Sequence, residues 1–113
     1  MKGLNLRLSE QFVSSLRTGG EPIAEIVEAR TLSFLRAVYA DLPDLMAPTI
    51  GQGDDGLVGM TWASENEHVN VEVFADGHVE FFHEELHTRA LFNVDVPNGT
   101  PTYEMLERLR RLR

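Results

Sequence analysis

The chain has 113 residues, no cysteine and a formal net charge of -8 at pH 7. This length fits one domain, 1–113, whose core needs no disulfide or structural metal, and the absence of cysteine excludes thiolate zinc sites. No apolar run approaches the roughly 20 residues of a membrane span, and residues 1–8 lack the basic-then-apolar order of a signal peptide. We therefore expect a cytoplasmic protein that does not contact membranes.

The negative charge is concentrated in the body of the chain. Residues 21–107 contain all but one of the 18 acidic residues but only three arginines, whereas both ends of the chain are basic. Such a body repels nucleic acid, because binding to phosphates requires clustered Lys and Arg. We expect no direct nucleic-acid binding and an attraction to basic partners. The alternative is that the acids only keep a small protein in solution.

Two helices are predicted in the N-terminal half. A short first helix is expected to begin with Ser9 as its N-cap and to stop at Gly19-Gly20. The main helix is expected over residues 22–42, because Pro22 suits a first helical turn and apolar residues then recur at helical spacing.

A loop and an antiparallel meander are predicted next. Residues 43–56 are rich in Pro, Gly and Asp and indicate a loop, with a short strand left open near 47–50. The following register is set by a four-residue loop, 64–67, and a three-residue loop, 75–77, with Gly77 in a left-handed conformation. The strands then share one apolar face, formed by Val58, Met60, Trp62, Val69, Val71, Val73, Val79 and Phe81.

The opposite face of this meander is acidic and aromatic. Glu72 is predicted to lie directly opposite Glu80, and like charges in that position cost stability unless a cation lies between them. Paired carboxylates beside exposed aromatic rings indicate a contact surface. The simpler interpretation is a solvated face with scattered apolar residues. The candidate binding residues are Glu72, Phe74, Glu80, Phe82 and Glu84.

The C-terminal part is predicted to contain a strand and a helix. Alternation from Leu86 to Val96 favours a fourth strand, although a helix over residues 83–92 stays open. Thr100 is expected to cap and Pro101 to start the final helix, whose apolar stripe would be Tyr103, Leu106, Leu109 and Leu112. The predicted fold is thus α+β, with an antiparallel meander of three to four strands packed on the main helix and the C-terminal helix.

Residues 83–87 spell His-Glu-x-x-His, which on a helix is a signature of zinc hydrolases. On a helix, residues four apart lie about 6 Å from each other, but on a strand they lie roughly 13 Å apart, too far to share one ion. Because the flanking patterns are those of strands, we predict no helix at residues 83–87. We therefore expect neither a cofactor nor catalysis.

Two metal-binding alternatives stay open. In a minimal zinc hydrolase, Glu84 would be the general base, and the ligands would be His83, His87 and either Glu104 or Glu107. A non-catalytic metal contact would instead use His68, His83 and Glu84.

The order of elements over about residues 20–82 resembles a family of small uncharacterised bacterial proteins. Their pattern is a helix with A-x-x-x-x-L, a Pro-containing linker, a DG-x-[VI]-x-[LM]-x-W strand and an [IV]-E-[IV]-x-x-DG hairpin. The matching places are held by Ala29, Phe34-Leu35, Asp55-Gly56, Trp62, Glu72 and Asp76-Gly77. Members have no established activity and tend to lie near mobile or toxin-antitoxin loci, so the resemblance implies a role directed at a partner rather than catalysis.

These observations predict a non-enzymatic protein that binds another macromolecule through an acidic sheet face, as an accessory, antitoxin-like or inhibitor protein. The expected partner is a protein, either basic or itself a binder of nucleic acid, and a homodimer stays open. One alternative is an acidic phage inhibitor that imitates nucleic acid, of the anti-CRISPR type. The other is the minimal zinc hydrolase.

Overall fold

The computed structural model describes residues 3–16 and 22–112. In this part of the chain, three helices and five strands form an α+β fold. The helices are α1 (Leu4–Leu16), α2 (Glu25–Asp41) and α3 (Tyr103–Arg110), and the strands are β1 (Thr49–Gln52), β2 (Val58–Ala63), β3 (Glu67–Val73), β4 (Val79–Glu85) and β5 (Leu91–Asp95). Short 3-10 turns at Asp54–Gly56 and Pro97–Gly99 precede β2 and α3.

The five strands form one antiparallel sheet in sequence order. Its central register is the predicted one, since Trp62 pairs with Val69 and Val71 pairs with Phe81. Gly77 has a φ of 92°, the left-handed conformation that the three-residue loop requires. The sheet has five strands, whereas three to four were predicted. The additional edge strand is β1, which lies at the site of the short strand left open near residues 47–50.

The hydrophobic core lies between one face of the sheet and the helices. All eight residues of the predicted apolar face are buried, and they pack with the buried residues of α1, α2 and α3. The Phe34 and Trp62 rings, for example, lie 6.5 Å apart. Burying a side chain of this size contributes about 1.5–3 kcal/mol, so this single cluster dominates the stability of the domain. The strands expose their alternate residues on the opposite face.

The two N-terminal helices differ from the predicted boundaries. The first begins at Leu4, so Ser9 is a buried residue within α1 and not its cap. The predicted stop at Gly19-Gly20 lies outside the described residues. The main helix begins at Glu25, after Ala24 as N-cap. Pro22 does not start it, because residues 22–24 are not helical and Ala24 has an extended backbone. Ile23 in this segment is buried, and its N–H donates to the Leu16 carbonyl at 3.3 Å.

The C-terminal helix begins two residues later than predicted. Thr102, not Thr100, is the cap, and its Oγ accepts from the Met105 N–H at 3.4 Å. The 3-10 turn before the helix delays its start, because the Thr100 N–H donates to the Pro97 carbonyl. Of the predicted apolar stripe, Leu106, Leu109 and Leu112 contact the core, but Tyr103 is 76% exposed and Met105 is buried instead.

The linker after α2 is fixed by two side chains that share one acceptor. Tyr39 donates its hydroxyl to the Met46 carbonyl at 2.7 Å, and the Trp62 indole N–H donates to the same oxygen at 2.9 Å. Burial raises the pKa of Tyr39 above its usual 10.0, and the neighbouring Trp62 N–H opposes part of that rise. The Tyr39 hydroxyl, the Trp62 indole N–H and the Met46 carbonyl therefore satisfy one another's hydrogen bonds.

Among the described helices, none has both the length and the apolar character needed to cross a bilayer.

Candidate binding face and histidine clusters

A row of three carboxylates crosses the sheet face opposite the core. Glu72 on β3 pairs directly with Glu80 on β4, and Glu80 pairs in turn with Asp95 on β5. Because neighbouring strands lie about 4.8 Å apart, the three side chains stand side by side. Among the described residues, no Lys or Arg forms a salt bridge with any of them; His78 alone does so. Adjacent like charges without a cation destabilise a sheet.

Apolar groups lie on the same face beside the carboxylates. Phe82 is partly exposed, and Leu91 keeps 65% of its surface exposed. These two residues and four polar ones line a shallow depression of about 320 Å³, the others being Thr61, His68, Asn70 and Glu84. The Phe74 ring lies at the end of the row, 5.6 Å from the His78 ring. The face therefore offers both charge and apolar area.

We call this surface the acidic outer face and define it by Glu72, Phe74, Glu80, Phe82, Glu84, Leu91 and Asp95. The structure brings all five predicted binding residues together on it. Sequence reasoning missed Asp95 and Leu91. The signal was present, since the alternation of Phe92, Val94 and Val96 places residues 91, 93 and 95 on the other side of the strand.

The His-Glu-x-x-His stretch is not helical, as predicted. Residues 83–85 belong to β4 and residues 86–88 form a turn, so β5 contains only the second half of the predicted strand pattern. The turn is tight, with the Glu85 N–H bonded to the Ala90 carbonyl and Arg89 at a φ of 62°. Residues 83–92 are therefore a strand, a turn and the start of another strand.

The predicted general base and ligands of a zinc hydrolase are held by different partners. His87 Nε2 lies 2.6 Å from the Asn66 side-chain oxygen, and Glu84 lies 3.6 Å from Arg89. On α3, the two glutamates contact arginines of their own helix, Glu104 with Arg108 and Glu107 with Arg110. The structure does not bring these side chains together around one position.

His83 is buried and forms contacts through both ring nitrogens. Its Nε2 lies 2.8 Å from Glu67 Oε1, and its Nδ1 lies 2.9 Å from Arg108 Nη1. Because arginine only donates, Nδ1 must accept, and Nε2 then carries the proton that is donated to Glu67. The Arg108 guanidinium also stacks 3.7 Å above the centre of the Phe92 ring. This network ties α3 to β3, β4 and β5, which is a structural role.

The alternative metal site of His68, His83 and Glu84 is also not formed. His83 has its side chain in the core, whereas His68 and Glu84 are direct partners on the acidic outer face. A strand points successive side chains to opposite faces, so His83 and Glu84 cannot serve the same ion. Within the part of the chain that the structure describes, one other set of metal-ligating side chains does meet, formed by His78, Glu80 and Asp95.

Comparison of the chain with families of known proteins, with curated proteins and with solved structures finds no match. The resemblance to small bacterial proteins therefore stays a prediction.

Proposed function

We propose that this protein binds a basic segment of another protein through the acidic outer face. The observation that carries the proposal is the row of Glu72, Glu80 and Asp95 in direct cross-strand register, with no Lys or Arg salt bridge from the described residues. A partner that supplies cations to this row would relieve the repulsion between its carboxylates. The protein would then act as an accessory, antitoxin-like or inhibitor protein.

The surroundings of the row favour arginine over lysine in the partner. Phe74 and Phe82 are partly exposed rings beside the carboxylates. A guanidinium can stack on an aromatic face while it donates two parallel hydrogen bonds to a carboxylate. The Glu72 and Glu80 side chains are half-buried, so their attraction for a cation is screened less than that of fully exposed acids. Leu91 adds apolar area that binding would remove from water.

Binding is proposed here in preference to zinc hydrolysis. The support is that His83 has both nitrogens engaged by Glu67 and Arg108, while His87 contacts Asn66. A partner that itself binds nucleic acid would fit the same surface, because its nucleic-acid site is a cluster of Arg and Lys. Imitation of nucleic acid is thus a special case of the proposal.

The experiment is a capture assay in which binding partners are collected on the immobilised protein. It compares the wild type with two double variants, each of which changes two acids to lysine. Glu72→Lys with Glu80→Lys reverses the centre of the row. Asp41→Lys with Asp44→Lys changes the net charge equally at two exposed acids away from it. We expect a specific partner that is lost in the first variant and at high salt but kept in the second.

A partner whose binding is indifferent to salt and to reversal of the row would contradict the proposal. So would a partner that both double variants release equally, because that result would reflect net charge alone. Once a partner is captured, competition with a short DNA or RNA duplex identifies the nucleic-acid-mimicking form, since the duplex would displace the protein.

A further inference from the structure

His78, Glu80 and Asp95 present three metal-ligating atoms to one point at the edge of the acidic outer face. His78 Nε2 lies 3.2 Å from Glu80 Oε2 and 3.3 Å from Asp95 Oδ1. The three donor atoms all lie within 4.8 Å of one another. One imidazole nitrogen therefore faces two carboxylates at once, although a neutral ring can donate only one proton from that atom.

The two separations from His78 Nε2, 3.2 and 3.3 Å, are those expected between neighbouring ligands of a single ion. Around tetrahedral zinc, with bonds of about 2.0–2.1 Å, neighbouring donor atoms lie about 3.3–3.4 Å apart. An octahedral arrangement with the same bonds gives about 2.9 Å. We propose that His78, Glu80 and Asp95 bind a divalent zinc-class metal ion, because one imidazole and two carboxylates suit such an ion better than Mg²⁺ or Ca²⁺.

The backbone holds the three ligands in place. Glu80 and Asp95 are direct partners in the β4–β5 ladder, so their spacing is fixed by the sheet. His78 immediately precedes β4, where its backbone N–H donates to Asp76 Oδ1 at 2.9 Å and its ring lies against Phe74. Ordering the ligands before the ion arrives lowers the entropic cost of binding.

The charges around the ligands act in opposite directions. Glu72 lies directly opposite Glu80 and adds negative charge that favours a cation. Arg30 lines the same cavity of about 370 Å³ as His78 and Asp95 and opposes a cation there, but among the described residues it forms no salt bridge with Glu80 or Asp95. Three protein ligands at a solvent-open position leave coordination sites free for water or for a donor atom of a bound ligand.

The metal site shares Glu80 and Asp95 with the proposed binding face but does not depend on a protein partner. Its test therefore uses the purified protein alone, so that the two proposals can fail separately. Loss of partner capture with intact zinc binding counts only against the proposed function.

The experiment is calorimetric titration of the metal-free protein with zinc chloride, and with magnesium chloride for comparison. The variants are His78→Asn and Asp95→Asn, and the matched control is His68→Asn. His68 is also an exposed histidine that faces a carboxylate on the same side of the sheet, since it pairs with Glu84. Circular dichroism confirms that each variant is folded.

We expect one zinc ion per chain in the wild type and in His68→Asn, and affinity weaker by about tenfold or more in His78→Asn and in Asp95→Asn. Nitrogen-detected NMR of the imidazoles should show that zinc shifts Nε2 of His78 and leaves those of His68 and His87 unchanged. Absence of stoichiometric zinc, equal affinity in His78→Asn and the wild type, or equal loss in His68→Asn would each overturn the proposal.

Discussion

His83 and His78 lie near the two ends of the same strand and on opposite faces of the sheet, and both contact carboxylates. The Nε2 atom of His83 is 2.8 Å from Glu67, and that of His78 is 3.2 Å from Glu80. Their surroundings differ. Arg108 donates to the second nitrogen of His83, whose side chain is 1% exposed, whereas the His78 side chain is 42% exposed and faces a second carboxylate. An imidazole–carboxylate contact alone therefore does not define a role.

The same contrast separates the two faces of the sheet. On the core face, Glu67, His83 and Arg108 form a connected hydrogen-bond network, and Phe92 covers the guanidinium. On the acidic outer face, three carboxylates stand side by side, and His78 is their one salt-bridge partner among residues 3–16 and 22–112. The core-face network bonds most of its polar groups to one another, although the buried Nε of Arg108 has no hydrogen-bond partner among the described residues. Such bonds stabilise the fold, whereas an unbalanced row of charge is available to bind a cation.

The largest expected effect comes from removing the buried histidine. His83→Ala should lower the free energy of unfolding by about 3 kcal/mol, because it leaves a cavity and takes a partner from both Glu67 and Arg108. His78→Ala, at the open site, should change it by less than about 0.5 kcal/mol. Urea unfolding of both variants tests this contrast, and equal losses of unfolding free energy would contradict it.

Arg108→Met should cost about 1–2 kcal/mol, because the methionine keeps some packing on Phe92 but loses the hydrogen bond to His83. Arg110→Met is the control, since Arg110 is an exposed residue that pairs only with Glu107 among the described residues. NMR that correlates the ring protons and ring nitrogens of the imidazoles over two bonds should find His83 protonated on Nε2 in the wild type. Protonation on Nδ1 would contradict the network.

Tyr39→Phe should cost about 1 kcal/mol at neutral pH, because the Met46 carbonyl loses one of its two donors. The raised pKa of Tyr39 also predicts a pH dependence. Its contribution is fully present below the unfolded value of 10.0 and is lost as pH rises through the higher folded value. As the pH rises above 10.0, wild-type stability should therefore fall more steeply than that of Tyr39→Phe.

The control for this experiment is Tyr103→Phe, which alters a tyrosine that is 76% exposed. It should retain the wild-type loss of stability at high pH. An identical pH profile for Tyr39→Phe and the wild type would show that the Tyr39 hydroxyl is not buried as described.

The smallest expected effect has the opposite sign. Glu72→Gln should raise the free energy of unfolding by about 0.2–1 kcal/mol at low salt, because it removes one charge from the row. Glu67→Gln is the matched control, since Glu67 also faces an acid, Glu85, but accepts from His83. It should destabilise the protein. Denaturation in a chelating buffer measures whether Glu72→Gln raises and Glu67→Gln lowers the free energy of unfolding. Destabilisation by both variants would contradict the contrast between the faces.

The strand register could be predicted from the sequence because the side-chain period of two and the loop lengths leave one pairing that places the eight residues of the predicted apolar face on one side of the sheet. Helix ends were predicted less well. In residues 100–102, Thr-Pro-Thr, both threonines can cap, and the preceding turn decides between them. Ser9 has the chemistry of a cap, but the structure buries it within α1.

The geometry of the acidic outer face could be predicted in part for a related reason. Glu72 and Glu80 lie in one hairpin whose register is local, so their juxtaposition follows from the loop between them. Asp95 joins them through a strand whose pairing depends on the turn at residues 86–88. The contact between Arg108 and His83 spans 25 residues, and no local pattern encodes it.

The most direct test of the binding proposal is an NMR titration of the isotope-labelled protein with a short arginine-rich peptide. We expect amide shifts at residues 70–74, 78–84 and 91–95, which vanish at high salt and in the variant carrying both Glu72→Lys and Glu80→Lys. Shifts centred instead on Asp41, Asp44 and Asp54 would contradict the account, because those exposed acids lie off the acidic outer face.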